Sequence, residues 1–412
     1  MRWKIDKEQL GILLGMLCLA FTLFNSSVVS MADPENPDPS PISANSFGMH
    51  LQGDHWPSVA IGGRRLTLSW TWVQKDRGTW DFKQTDSLVQ TTTSHNVDLI
   101  AGLAFSPSWA SSQPNKTCTV GPGACWEPAK IQDWREYVKA MGTRYKGQVH
   151  YWEIWNEPSE GAFYQSSVGA LVTLTQAARE ELKKIDPANQ IISPSPVGAP
   201  GFRWMDEFLQ KGGGNYVDIV GFHFYFAPSP PESVFGEVTQ VHSIMAKHGV
   251  RKPLWNTEFG WTGDKLDDQT AVAYLGRAMI LSFAAGTPRA YWYQWGNPNV
   301  PLPLVGADGV TATPAGKAFG VLQEWLTGAV LKSCTSSDVP QAWHGSHAPW
   351  TCDLQRGNTI SKIIWNPDGP SSMDVPTAWH VNHARNLNGD VSVIAPKGTS
   401  FGIKPLLLYW VR

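Results

Sequence analysis

Two glutamates stand at the ends of short apolar runs. One run, Val149-His-Tyr-Trp-Glu-Ile-Trp-Asn-Glu-Pro158, closes on Asn156-Glu157-Pro158. The other, Pro253-Leu-Trp-Asn-Thr-Glu-Phe-Gly-Trp261, carries Glu258. Two carboxylates that a fold brings together can divide one reaction between them. One, held protonated, gives its proton to a leaving oxygen. The other, ionised, attacks carbon or activates water. A glycosidic bond flanked by such a pair is cleaved in this way. The competing reading is a pair of buried structural carboxylates, each held by a cation.

Only a fold can bring residues so distant in sequence together, so the elements that carry them come next. Strand-like runs recur at Phe47–Leu51, Arg65–Ser69, Asp98–Leu103, Val149–Trp155, Gln190–Ser193, Asp218–Phe224, Pro253–Thr257 and Arg289–Trp295. Helical patterns lie between most of them, clearest at Trp134–Tyr145, Val168–Ile185 and Thr270–Ala285. Asp186-Pro187 and Gly286 with Pro288 are the stop signals of the last two. This alternation predicts an α/β fold, a (β/α)8 TIM barrel over residues 46–325. A doubly wound sheet also alternates, but no Gly-x-Gly-x-x-Gly follows the first strand, which disfavours dinucleotide binding. In a barrel, residues that do chemistry sit at the C-terminal ends of the strands, where Glu157 and Glu258 fall. Glu153 shares strand parity with Glu157 and reads as a barrel-interior carboxylate paired with Arg65 or a histidine. Residues 326–412 predict a small C-terminal all-β domain, with strands near Ile360–Trp365, Trp379–Asn382, Val391–Ile394 and Leu406–Val411.

At these residues the chain resembles the retaining glycoside hydrolases of clan A, which use a (β/α)8 barrel. The resemblance is closest to glycoside hydrolase family 39 and to exported hydrolases of biofilm exopolysaccharide. It rests on Phe47-Gly-Met-His50, on Arg65-Leu66 with Trp72, on Gly78-Thr-Trp-Asp-Phe82 with Asp86, on Phe105-Ser-Pro-Ser-Trp-Ala-Ser111 and on Glu153-Ile-Trp-Asn-Glu-Pro158. Leu68 stands where relatives often carry Asp, which leaves the glycone preference open. The resemblance implies Glu157 as acid/base and Glu258 as nucleophile. It implies that Asn156 donates to the sugar 2-hydroxyl, and that His223 or Tyr225 hydrogen-bonds Glu258. Trp292 or Trp295 is the implied platform under the reacting sugar. His50 and Arg65 are either substrate-binding or structural, and His223 has a core reading as well. Trp56, Trp109, Trp126, Trp204 and Trp261 lie on or near loops at strand ends, where they either pack or add sugar subsites. Double displacement implies carboxyls about 5–5.5 Å apart.

Composition agrees with a sugar-handling enzyme. The chain has 412 residues, 42% hydrophobic, enough to bury a large core and to exclude wholesale disorder. A formal net charge of −2 gives no sign of the basic face that nucleic acid would need. The 21 tryptophans are either core or a stacking surface, and indole faces suit pyranose C–H faces. Arg2, Lys4 and Lys7, the apolar run Gly11–Phe24, and Ser30 with Ala32 have the layout of an export signal. Residues 1–32 are thus expected to be a signal peptide or a signal anchor, the latter making a membrane contact, with 33–45 as a Pro-rich linker. In an exported chain, Cys118, Cys125, Cys334 and Cys352 read as two disulfides, and local pairing closes the shortest loops. No cofactor and no metal-ligand spacing is visible. The expected function is an exported retaining glycosidase, endo-acting on an extracellular polysaccharide. The alternatives are an exo-glycosidase such as a β-xylosidase, or a non-catalytic polysaccharide-binding protein on the same barrel.

Overall fold

The computed structural model describes residues 40–53, 55–336 and 348–411. The expected signal segment and residues 33–39 of the expected linker lie outside the described residues. Among the described residues, no helix is long and apolar enough to cross a membrane.

Eight parallel strands make the first sheet: β1 (Phe47–Leu51), β2 (Gly63–Thr67), β3 (Asp98–Leu103), β4 (Tyr151–Ile154), β5 (Gln190–Ile192), β6 (Val220–His223), β7 (Leu254–Phe259) and β8 (Ala290–Trp295). They pair in the order β5-β4-β3-β2-β1-β8-β7-β6. A parallel bridge between Ile192 and Ile219 brings β5 to β6, so the sheet curls into a nearly closed barrel. Besides the single turn Trp70–Val73, the α-helices among the described residues are α1 (Lys83–Ser94), α2 (Ile131–Arg144), α3 (Val168–Ile185), α4 (Gly198–Gln210), α5 (Ser233–Lys247), α6 (Asp268–Ala284) and α7 (Pro314–Leu326). One follows each strand except β1.

Strands buried on both faces explain the near-continuous apolar runs of the sequence. Ile100, Ile192, Ile219, Trp255 and Tyr291 form their own cluster within the barrel. Gly48 on β1 makes room for it, since a Cβ there would lie 2.1 Å from the Tyr291 ring. The helices are set by local signals. The Ser167 hydroxyl caps α3 by accepting from the Ala170 amide at 3.1 Å, and Asp267 caps α6 through the Gln269 and Thr270 amides. Leu171, Leu174, Ala178 and Leu182 give α3 an apolar stripe that packs inward.

Beyond α7 the chain is antiparallel. Strands β9 (Val330–Ser336), β10 (Trp350–Arg356), β11 (Thr359–Trp365), β13 (His383–Asn386), β14 (Val391–Val393) and β16 (Leu406–Tyr409) form a sheet ordered β14-β13-β16-β11-β10-β9. The short pair β12 (Ser371–Met373) and β15 (Thr399–Phe401) stands apart. The expected strand Trp379–Asn382 does not form: Thr377–Trp379 is a 3-10 turn and His380 takes φ 51°, which ends any extended run. The strand starts at His383 instead. This region packs on α6, where a Cβ on Gly276 would meet Leu387 at 2.5 Å. Trp365 Nε1 also donates to Glu232 Oε1 at 2.9 Å, the oxygen that accepts from Arg277 Nε at 2.7 Å. Both expected disulfides are present, Cys118–Cys125 and Cys334–Cys352, the latter across the paired strands β9 and β10.

Candidate active site

The ends of β4 and β7 face each other across the barrel mouth. Beyond Ile154 the β4 backbone turns sharply, with Trp155 at φ 64° and Glu157 at φ 42°. Left-handed conformations at non-glycine residues cost about 1–3 kcal/mol each, and the surroundings must hold them. They do so through Trp155 N to Leu103 O at 2.8 Å, Trp155 Nε1 to Phe163 O at 2.9 Å and Glu157 N to Ser195 O at 3.1 Å. The turn aims Glu157 inward, where its Oε1 lies 2.8 Å from His223 Nδ1. Ligand atoms of Glu157, His223 and Glu258 all lie within 4.8 Å of one another. At these oxygens the two carboxylates stand closer than the carboxyl gap of about 6.5–9.5 Å that leaves room for an intervening water.

Arg65, on β2, is the hub. Its Nη1 donates to Glu258 Oε2 at 2.6 Å, its Nη2 to Asn156 Oδ1 at 2.9 Å and its Nε to Glu153 Oε2 at 2.5 Å. Burial opposes its charge, but Glu153 and Glu258 outweigh that and raise it further. Glu153 is fully buried, and Ser195 donates to its other oxygen at 2.6 Å. A guanidinium has no acceptor, so Asn156 must turn its oxygen to Arg65 and its NH2 away from it. Tyr225 donates to Glu258 Oε1 at 2.7 Å, and burial, then the Glu258 charge, pushes its hydroxyl well above the usual range. Both Glu258 oxygens are therefore held by donors. His50 Nε2 donates to the Thr257 carbonyl at 3.2 Å, and burial with the Arg65 charge keeps this ring neutral.

The two carboxylates differ in surroundings. Burial raises Glu157 above the usual carboxylate range, and the Arg65 charge only partly offsets this. Its near partner His223 is pulled down to about 4 by burial, against the Glu258 charge, so the ring is neutral at neutral pH. Glu258 instead receives a cation and a phenol directly. The Glu157, His223 and Glu258 donor set is also of a kind that binds metal. Here Arg65 already places a positive charge on Glu258, which opposes a second cation.

Of the residues singled out in the sequence, His50, Arg65, Asn156, Glu157, His223, Tyr225 and Glu258 converge on this mouth. Tyr225, and not His223, is the hydrogen-bond partner of Glu258. Trp292 and Trp295, expected as the platform, are both 0% exposed, and Trp292 packs edge-on against Phe259. The open ring of β8 is Tyr293, 36% exposed and 5.3 Å from the His50 ring. Burial, then the Glu258 and Glu157 charges, raises its hydroxyl above the usual range. Trp109 is tied down elsewhere: its Nε1 donates to Gln74 O at 2.9 Å and Arg77 lies 4.4 Å over its ring. Ser195 and Thr257, which extend the network at 3.0 Å, were not singled out in the sequence, and no spacing signal marks them.

Residues 104–299 match the family described as glycosyl hydrolase catalytic core, a span that holds Asn156, Glu157, His223, Tyr225 and Glu258. No curated protein matches the chain. Among solved structures, it is similar to a family 39 glycoside hydrolase from the gut symbiont Bacteroides cellulosilyticus, with 16% identity, a TM-score of 0.70, and coverage of 89% of this chain and 82% of that one. A family 39 β-xylosidase from Caulobacter crescentus gives 15% identity and a TM-score of 0.64 over 90% and 97%. A family 30 endoxylanase from Clostridium papyrosolvens gives 11% and 0.64 over 90% and 97%. At these identities the likeness is one of fold.

Proposed function

We propose that this chain, whose residues 104–299 match the glycosyl hydrolase catalytic core and whose fold is similar to that of a family 39 glycoside hydrolase, is a retaining glycosidase, endo-acting on an extracellular polysaccharide. The observation that supports this reading most is the close carboxylate pair in unequal surroundings, Glu157 raised by burial and Glu258 held by Arg65 and Tyr225.

In this mechanism Glu157 enters protonated and gives its proton to the glycosidic oxygen as that bond to the anomeric carbon breaks. Glu258 attacks the same carbon and forms a glycosyl-enzyme. Glu157, now ionised, takes a proton from water, whose oxygen displaces Glu258 and regenerates both groups. Asn156, its oxygen fixed by Arg65, has its NH2 left to meet a sugar hydroxyl. Tyr293 supplies the ring at the reacting sugar in place of Trp292 and Trp295. Arg65 and Tyr225 position Glu258 and do not transfer protons.

Loop lengths support endo action. β5 reaches α4 through 193–197 and β6 reaches α5 through 224–232, short spans that leave that side of the mouth low. The longer spans are 104–130, braced by Cys118–Cys125, and 296–313. Exo action is the second reading, favoured by the similarity in fold to a β-xylosidase. Two disulfides suit an oxidising compartment, and together with the apolar N-terminal run they support export.

The test is digestion of a polysaccharide panel, with soluble products read by mass spectrometry and Glu258→Gln run alongside. Oligosaccharides absent with the variant, released first as the anomer of the substrate, are expected. Monosaccharide alone would establish exo action. Tight glycan binding with no products from either chain would leave a binding protein.

A further inference from the structure

A groove lined by described residues lies away from the carboxylates. It lies on the barrel flank between α1 and α2, has a volume of about 1090 Å³ and shares no residue with the mouth. Its wall is aromatic. Trp80 and Phe82 stack with centroids 5.5 Å apart and planes 3° from parallel. The Arg144 guanidinium lies 4.4 Å over Phe82 and is itself fixed by a two-point ion pair with Asp86, Nε to Oδ1 at 2.6 Å. Tyr145 braces Asp86 from below with a hydroxyl bond of 3.0 Å. The stack therefore holds the indole of Trp80, half-exposed, in one plane before any ligand arrives.

We propose that this groove is a second, non-catalytic binding site for a neutral polysaccharide chain. The ligand class rests on the glycosidase reading above; the site itself does not. A pyranose offers an apolar C–H face and a rim of hydroxyls. Rings held in place meet the first at little entropic cost. The rim meets exposed polar groups whose side chains have no hydrogen-bond partner among the described residues, the Gln90 and Gln148 amides and the Lys139 ammonium. Charge selects among glycans. Asp86 is paired with Arg144, and Lys139 is balanced by Glu136, so the groove has no net charge to attract a uronate-rich or sulfated chain. Its volume stands at the upper end of ligand pockets, room for several sugar units and too much for one. A site of this kind on a hydrolase keeps the enzyme on a long or insoluble chain between cleavage events.

The experiment uses the full chain with Glu258→Gln, so that ligand is not consumed. The probes are the neutral hexasaccharides of the xylo-, cello-, manno- and galacto-series, each titrated by calorimetry whether or not the parent chain hydrolyses that series. Two sites per chain are expected, with one lost in Trp80→Ala, whose affinity there falls at least about tenfold. Because Trp80 also packs on the core, a second variant, Gln90→Arg with Gln148→Arg, fills the groove from exposed positions and is expected to lose the same site with an unchanged thermal melt. Carried without the Glu258 change, both variants should hydrolyse a short aryl glycoside at the parent rate while releasing product from insoluble polysaccharide more slowly. One site in the parent chain, or two sites surviving in both groove variants, overturns the groove while hydrolysis remains intact. Absence of hydrolysis with one Trp80-dependent site retained overturns the glycosidase reading alone. Absence of both overturns the two together.

Discussion

Arg65 donates to Glu258 at 2.6 Å from a position where its side chain is only 2% exposed. The same guanidinium holds Glu153, which is fully buried. Removing it strands a carboxylate in the barrel as well as freeing the proposed nucleophile. Breaking a buried pair from one side costs about 3–5 kcal/mol. Arg65→Met is therefore expected to lose about that much stability in urea unfolding and to be inactive. Arg65→Lys keeps the charge but not the three-way fork, so it should recover part of the stability and little of the activity. Parent-like unfolding of Arg65→Met would show that Glu153 has another counter-charge.

Tyr225 donates to the other oxygen of Glu258 at 2.7 Å. A hydrogen bond to a charged group is worth about 1.5–3 kcal/mol. Tyr225→Phe removes the donor and little volume, so kcat should fall about 10–100-fold with a smaller change in KM. Steady-state kinetics on an aryl glycoside decides it. An unchanged kcat would mean that Arg65 alone positions the carboxylate.

Strand ends were legible in the sequence because chemistry there coincides with pattern: Asn156-Glu157-Pro158 breaks a strand, and Glu258 closes an apolar run. Helix α3 was legible to both its ends because Ser167 and Asp186-Pro187 punctuate it. The platform ring was not. β8 reads Tyr-Trp-Tyr-Gln-Trp, with rings on both faces, so only packing separates the open Tyr293 from the enclosed Trp292. The partner of His223 was hidden for a different reason. The β6–β7 register slips between Phe222 and His223, and Glu157 arrives on a left-handed turn, neither of which local composition announces. In the C-terminal region, the aromatic run at Trp379 looked extended until His380 turned it.

Glu237 on α5 offers a test of burial away from the mouth. Its Oε2 has no hydrogen-bond partner among the described residues, and burial raises the carboxyl to about 8. The unfolded chain releases this proton near its ordinary value of about 4.5, while the folded chain keeps it to about 8. Between those values the folded state binds more protons, so stability falls as pH rises and levels off above them. Glu237→Gln removes that slope. It should gain on the order of 2–3 kcal/mol over the parent at pH 8 and little at pH 4.5, read by urea unfolding at both. An equal gain at the two values would point to packing instead of charge.

The last prediction concerns which way a proton points. His223 Nδ1 lies 2.8 Å from Glu157 Oε1, the ring is neutral, and Nε2 is buried with no partner among the described residues. A buried bare lone pair is easier to leave unpaired than a buried N–H. We therefore assign the proton to Nδ1, donating to Glu157, which leaves Oε2 to carry the acidic proton toward the sugar. Such a donor favours the ionised form of Glu157 and so restrains the rise that burial imposes. Activity requires Glu157 protonated, so kcat/KM falls as pH climbs through its value, the alkaline limb of the profile. His223→Phe keeps a ring of similar size and removes the donor. Its alkaline limb should move to higher pH, and Glu157→Gln should have no such limb on substrates with activated leaving groups. A limb displaced to lower pH would assign the opposite tautomer, with Glu157 donating to the ring and Oε1 carrying the proton that must reach the leaving group.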